Sequence, residues 1–125
     1  MSTPSGKLLG AFAAVFGGAA VALGAFGAHA LRGTLDPAAL ALWQTAVSYL
    51  FWHVLAALVA AHAADASKPA RVAAMLFLAG SAIFSGTLFA LALASPRWFG
   101  AITPVGGTLL IAGWIALAAH YLRRR

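Results

Sequence analysis

Apolar positions along the chain fall into long runs broken by short polar segments. The first run, Gly10 to Leu31, contains no acid or base apart from His29. Its length exceeds the roughly 20 residues with which a helix crosses a hydrocarbon core of about 30 Å. Within it Gly10, Ala13, Gly17, Ala20, Gly24 and Gly27 recur at alternating steps of three and four, which lines them up on one helical face. A face with almost no side chain lets another helix approach closely, and in lipid such approach is a main source of helix association. The pattern predicts a first helix over 8–31 that acts as the packing spine of a membrane bundle.

Three further spans follow. Asp36-Pro37 reads as an N-cap followed by proline at the first helical position, opening a second helix over 37–64. Trp43, near its start, is expected at the outer interface, where an indole can sit half wet. The polar stretch 65–70 (DASKPA) is a loop, and the third helix is expected over 72–94. Ser95-Pro96-Arg97-Trp98-Phe99-Gly100 is the next turn. Thr103-Pro104 then repeats the cap-then-proline signal and opens a fourth helix over 104–122. The expected fold is an all-α polytopic membrane protein, one four-helix transmembrane domain over 1–125.

Composition agrees with this reading. Hydrophobic residues make up 63% of the chain and charged residues 8%, against about 25% charged in soluble domains. The net charge of +6 does not point to nucleic acid, because the bases flank the apolar runs instead of forming one patch. Lys7, Lys68, Arg71, Arg123, Arg124 and Arg125 fall on one side of the expected membrane, Arg32 and Arg97 on the other. That asymmetry predicts both termini in the cytoplasm. Lys7, the apolar run and Ala28-His29-Ala30 imitate a cleavable signal, but the run is too long for a signal core, and the segment is expected to remain as a helix. Without cysteine, disulfides and thiolate chemistry are excluded.

Polar residues inside the apolar runs are the candidates for function, because polar groups in hydrocarbon are costly unless satisfied. Gln44, Thr45, Ser48, Tyr49 and His53 share a broad face of the second helix, and Ser81 and Ser85 lie one turn apart on the third, beside Gly86 and Thr87. By depth, His29, Gln44, Ser48, Tyr49, His53, Ser85 and Thr103 could form a polar pocket centred in the outer half of the bundle. The plainer reading stands beside it. An imidazole at a helix end bonds a carbonyl, His53 hydrogen-bonds a Ser or Tyr, and the other polar groups are interhelical glue at about 0.6 kcal/mol each. His62 and His120 read as interfacial anchors. Gly86, Gly106, Gly107 and Gly113 join the first helix's stripe as packing positions. Gly17-Gly18 with Gly24 and Gly106-Gly107 with Gly113 form a similar pair of patterns, which glycine-rich composition itself produces. No metal, haem or other cofactor is expected. The histidines do not match in buried depth, both acids lie in loops, and no nucleophile–base–acid set is visible.

Four blocks carry a family resemblance: Gly24-Ala25-Phe26-Gly27-Ala28-His29-Ala30-Leu31; Trp43-Gln44-Thr45-Ala46 with Tyr49 and His53; Phe84-Ser85-Gly86; and Ile102-Thr103-Pro104-Val105-Gly106-Gly107 with Gly113-Trp114. In that order they resemble the small four-span family of unknown function that includes the YgdD/YwdK-type bacterial inner-membrane proteins and a small eukaryotic transmembrane relative. The resemblance implies a bacterial inner-membrane location and no established activity. Where it implies a tyrosine shortly after the Ser-Gly of the third helix, this chain has Phe89. The expected function is that of a non-enzymatic membrane protein, embedded in the lipid bilayer, that packs with copies of itself (a homo-oligomer) or with a membrane-protein partner. The alternative is a small-molecule or lipid binder using the polar pocket.

Overall fold

A computed structural model describes residues 3–94 and 96–123. Ser95, Arg124 and Arg125 lie outside the described residues, and with them part of the expected third turn and of the carboxyl-terminal bases. The described chain forms α1 (Gly6–His29), α2 (Pro37–His62), α3 (Lys68–Ala92) and α4 (Phe99–Leu122). Each is long and apolar enough to cross a membrane. At 24 to 26 residues they run about 36–39 Å, longer than a hydrocarbon core of about 30 Å.

Local chemistry sets the helix starts. Asp36 accepts from the backbone N–H of Ala39 (2.8 Å) and Pro37 opens α2 as expected. α1 is capped twice: Ser5 accepts from the Leu8 N–H (3.1 Å), and Asp65 reaches across from the α2–α3 loop to accept from Gly6 (2.8 Å). Three starts differ from expectation, that of α1 by the two residues that these caps add from Gly6. α3 begins at Lys68, not at position 72, because Ser67 caps it by accepting from Ala70 (3.2 Å) and Pro69 sits in the first turn. This is the same cap-then-proline signal, hidden among residues that read as a loop. α4 begins at Phe99, not at Pro104. Its first turn is wound by backbone bonds alone, Phe99 to Pro96 (3.1 Å), Gly100 to Arg97 (3.0 Å) and Ala101 to Trp98 (2.9 Å), with no side-chain cap. Pro104 therefore lies inside the helix. α1, α2 and α3 also stop two residues short of expectation, at His29, His62 and Ala92.

The small-residue face of α1 lies along α2 in antiparallel register. A methyl group added at Gly10 would meet Ala61 at 3.9 Å, at Gly17 Val54 at 3.3 Å, and at Gly24 Val47 at 3.3 Å. Ala13 and Ala20 are buried in the same seam. At its end Gly27 faces Trp43, whose ring atoms lie 2.5 Å from where a Cβ would stand. Trp43 is therefore no interfacial residue. It is 3% exposed, its indole N–H donates to the Leu23 carbonyl (2.9 Å), and Phe89 packs edge-on against it at 4.6 Å. The missing side chain of Gly27 makes room for the ring.

α3 and α4 form a second antiparallel seam, in which large residues on one helix fill gaps on the other. Phe84 lies on Gly106, Phe77 on Gly113, and Leu110 on Gly80. Thr87 and Thr103 join hydroxyls across it at 2.7 Å. Gly107 makes ordinary contact with the Phe84 ring, whereas a methyl added at Gly86, expected as a packing position, would meet nothing within 4 Å among the described residues. α3 also packs on α2 through alanines around Phe77, which is fully buried, and touches α1 only lightly. The order across the bundle is thus α1, α2, α3, α4. The start of α1 and the end of α4 gather at one end of the bundle around the α2–α3 loop, where Ser67 bonds His120 (2.8 Å) and Arg123 donates to the Ala66 carbonyl (3.2 Å).

Candidate ligand-binding cleft

α2 and α4 both rest on α3, but their backbones stay apart. Between them lies a cleft of about 720 Å³, lined by Tyr49, Trp52 and His53 of α2, Phe84 of α3, and residues of α4 including Gly107, Thr108, Ile111 and Trp114. The volume falls within the range of about 300–1,000 Å³ typical of pockets for drug-sized molecules. Its walls are aromatic: Tyr49 lies 4.8 Å from Phe84 and 5.1 Å from Trp52 between ring centroids. Trp114 stands edge-on to both His53 (5.7 Å) and Phe77 (5.0 Å).

His53, 6% exposed, forms the inner wall. Its Nδ1 lies 2.7 Å from the carbonyl of Tyr49, one turn back on its own helix. A carbonyl only accepts, so Nδ1 carries the proton. Nε2 is then a bare acceptor, and the Trp114 indole N–H donates to it at 3.0 Å. Both ring nitrogens are satisfied and the tautomer follows from the partners. The bond is also the polar tie between α2 and α4.

The residues expected to form one polar pocket do not converge. Tyr49 and His53 reach the cleft. Ser85 is buried in the α2–α3 seam, donating to the Ala46 carbonyl (2.8 Å). Thr103 lies in the α3–α4 seam, against Thr87 and the Phe99 carbonyl. Ser48 faces a groove beside α1 with Gly24 and Val47, and Gln44 and His29 are exposed. These side chains share a depth range but point to different sides of the bundle. Of the two expected anchors, His62 is exposed, while His120 is half-buried on Ser67. The buried Ser81 hydroxyl has no partner among the described residues.

Sequence reasoning did not assign Trp52, Phe84, Thr108, Ile111 and Trp114 to a site. A signal was present for the two tryptophans. Trp is enriched at membrane interfaces, yet Trp52 and Trp114 sit well inside their spans, about 15 Å and about 12 Å from the nearer helix ends. Among the described residues, no group of three or more His, Cys, Asp or Glu side chains is placed to hold a metal ion.

A family model described as a protein of unknown function (DUF423) matches residues 23–107. The UPF0382 membrane protein YwdK of Bacillus subtilis is 40% identical over 121 residues, covering 92% of this chain and 96% of the relative. The UPF0382 inner membrane protein YgdD of Escherichia coli is 39% identical over 118 residues, 90% of this chain and 87% of the relative. A UPF0382 membrane protein of Staphylococcus epidermidis is 40% identical over 117 residues, 93% of each. No solved structure matches.

Proposed function

The chain belongs to the DUF423 family of membrane proteins, and from that premise we propose that it is a non-enzymatic binding protein that holds an apolar, membrane-dissolved molecule in the cleft between α2 and α4. One observation carries the reading: a cleft of about 720 Å³ walled by aromatic side chains opens at mid-span, about twice the volume of the groove of about 370 Å³ beside α1. Self-association draws less support than binding does. The small-residue face of α1 that would favour it is covered by α2 of the same chain. Binding is also favoured over proton transfer, since both nitrogens of His53 are engaged within the protein.

The test is the mass of the protein released from mild detergent under native conditions. A one-to-one adduct is expected with the wild type and not with Gly107→Phe, whose ring would fill the cleft from a position where a Cβ finds ordinary contact. An adduct-free wild type, with cysteines placed at Thr108 and Trp52 cross-linking between copies, would replace the binding reading by oligomerisation through this surface.

Cytoplasmic termini belong to the same proposal. Lys7, Lys68, Arg71 and Arg123 lie at the end of the bundle where α1 starts and α4 ends, with Arg32 and Arg97 at the other, which supports that orientation. The chain has no native cysteine. In intact cells Thr34→Cys should therefore react with an impermeant maleimide and Thr3→Cys should not; the reverse labelling pattern refutes the orientation.

A further inference from the structure

The polar inventory of the cleft narrows what it can hold. His53 and Trp114 satisfy one another, and Thr108 donates its hydroxyl to the Pro104 carbonyl (2.8 Å). Tyr49 differs. It enters the hydrogen-bond network through its carbonyl, to His53, and among the described residues nothing bonds its hydroxyl. It stands about 18 Å from one end of α2 and about 20 Å from the other, so no interfacial water relieves it as it would at a membrane boundary. An O–H donor left open at that depth, on a ring 36% exposed toward the cleft and the lipid beside Trp52, Phe84 and Trp114, asks for an acceptor oxygen on a molecule that otherwise stacks against aromatic faces.

We propose that the occupant is a flat ring bearing a carbonyl oxygen on an apolar tail, the quinone class of prenyl lipid, with its carbonyl accepting from the Tyr49 hydroxyl and its ring lying among Trp52, Phe84 and Trp114. The inference rests on the binding reading above and gives it a ligand class. A diacyl phospholipid does not fit, because its charged headgroup would have to lie at mid-span among apolar walls. A plain hydrocarbon fits the walls but leaves the hydroxyl open.

Two probes separate these cases in the full chain reconstituted in nanodiscs: a decyl-substituted benzoquinone and the oxygen-free decylbenzene, each titrated while the unfolding midpoint is followed. The quinone should bind the wild type more tightly than decylbenzene. Tyr49→Phe, which removes an oxygen that bonds nothing among the described residues, should weaken quinone binding about fivefold, the worth of one neutral hydrogen bond, and leave decylbenzene unchanged. Gly107→Phe should abolish both. Equal binding of the two probes with no response to Tyr49→Phe overturns the carbonyl assignment while the cleft remains a binding site. Failure of both probes overturns the quinone class, and the adduct measurement then decides on the binding reading by itself.

Discussion

The bond between His53 and Trp114 is the polar link that spans the cleft, and removing its donor tests the geometry of the site. Trp114→Phe keeps an aromatic ring but deletes the N–H that His53 Nε2 accepts at 3.0 Å. His53 cannot compensate by turning over, because its Nδ1–H is anchored on the Tyr49 carbonyl at 2.7 Å. The variant therefore leaves a bare acceptor on a side chain that is 6% exposed. Interhelical hydrogen bonds in membranes average about 0.6 kcal/mol and reach about 1.7. The smaller ring also weakens edge-on contacts with Phe77 and His53, each worth about 0.5–1.5 kcal/mol when complete and partly kept by phenylalanine. A loss of about 1–2 kcal/mol is expected in denaturant unfolding from bicelles. A cycle with His53→Leu isolates the bond, and its coupling energy should fall near 0.6–1.7 kcal/mol. Nitrogen NMR of labelled His53 reads the same arrangement directly: a protonated Nδ1 and a bare Nε2 in the wild type, and a weaker tautomer preference in Trp114→Phe. A coupling indistinguishable from zero, with the proton found on Nε2, would refute the reasoning.

The seams give further expectations. Gly27→Ala places a methyl 2.5 Å from ring atoms of the pinned Trp43, so it should destabilise by about 1–3 kcal/mol despite alanine's better helix propensity, with a shift in near-ultraviolet dichroism as the indole moves. Gly106→Ala should cost at least as much, because the methyl meets the Phe84 backbone at 2.8 Å, whereas Gly86→Ala, in open space, should be neutral or stabilise by up to about 1 kcal/mol. Equal effects of those two alanines on unfolding would contradict the α3–α4 register. Ala94, just past α3, holds a left-handed backbone with φ at 68°, a conformation costing non-glycine residues roughly 1–2 kcal/mol. Ala94→Gly should therefore raise the unfolding midpoint, and a lowered one would count against that turn.

What was legible in the sequence follows from what periodicity encodes. The helices announce themselves through long apolar runs, and Asp36-Pro37 marks the start of α2 because cap and proline act locally. Thr103-Pro104 misleads for the same local reason. Proline is favoured in the first turn, where N–H groups have no helical partner, but Pro104 lies five residues beyond Phe99, inside the helix, where its missing N–H costs the bond to the Gly100 carbonyl and marks no start. The bare face of α1 is visible in a list of glycines; the identity of the helix that covers it is not. Gly80 escaped notice because it is a gap for Leu110, and that pairing exists only once the register of two helices is set. Depth was readable as well, since distance along a helix is residue count times rise. Direction around the bundle was not, and that is why Gln44, Ser48, Ser85 and Thr103, similar in depth, serve different surfaces.

The contrast between seams argues that the cleft is a built feature and not a packing defect. Where α1 meets α2, and again where α3 meets α4, a glycine or alanine stands opposite the larger side chain at successive contacts, and the backbones come close there, leaving a smaller groove beside Ser48 on the α1 side. Between α2 and α4 the rule reverses. Rings occupy both sides, Tyr49 and His53 against Trp114, with Phe84 behind them. Gly107, the small residue that α4 does bring to this place, lies in ordinary contact with Phe84 and does not draw α2 inward. Tyrosine and tryptophan carry polar hydrogens that hydrocarbon does not satisfy, so a bundle selected for close packing alone would gain nothing by placing them at mid-span. One of those hydrogens is satisfied by pairing Trp114 with His53, which also ties the two helices together across the gap. On the proposed binding reading, the hydroxyl of Tyr49 and the indole N–H of Trp52 are left for whatever enters, and the same side chains that hold the helices apart would give the entrant its surface.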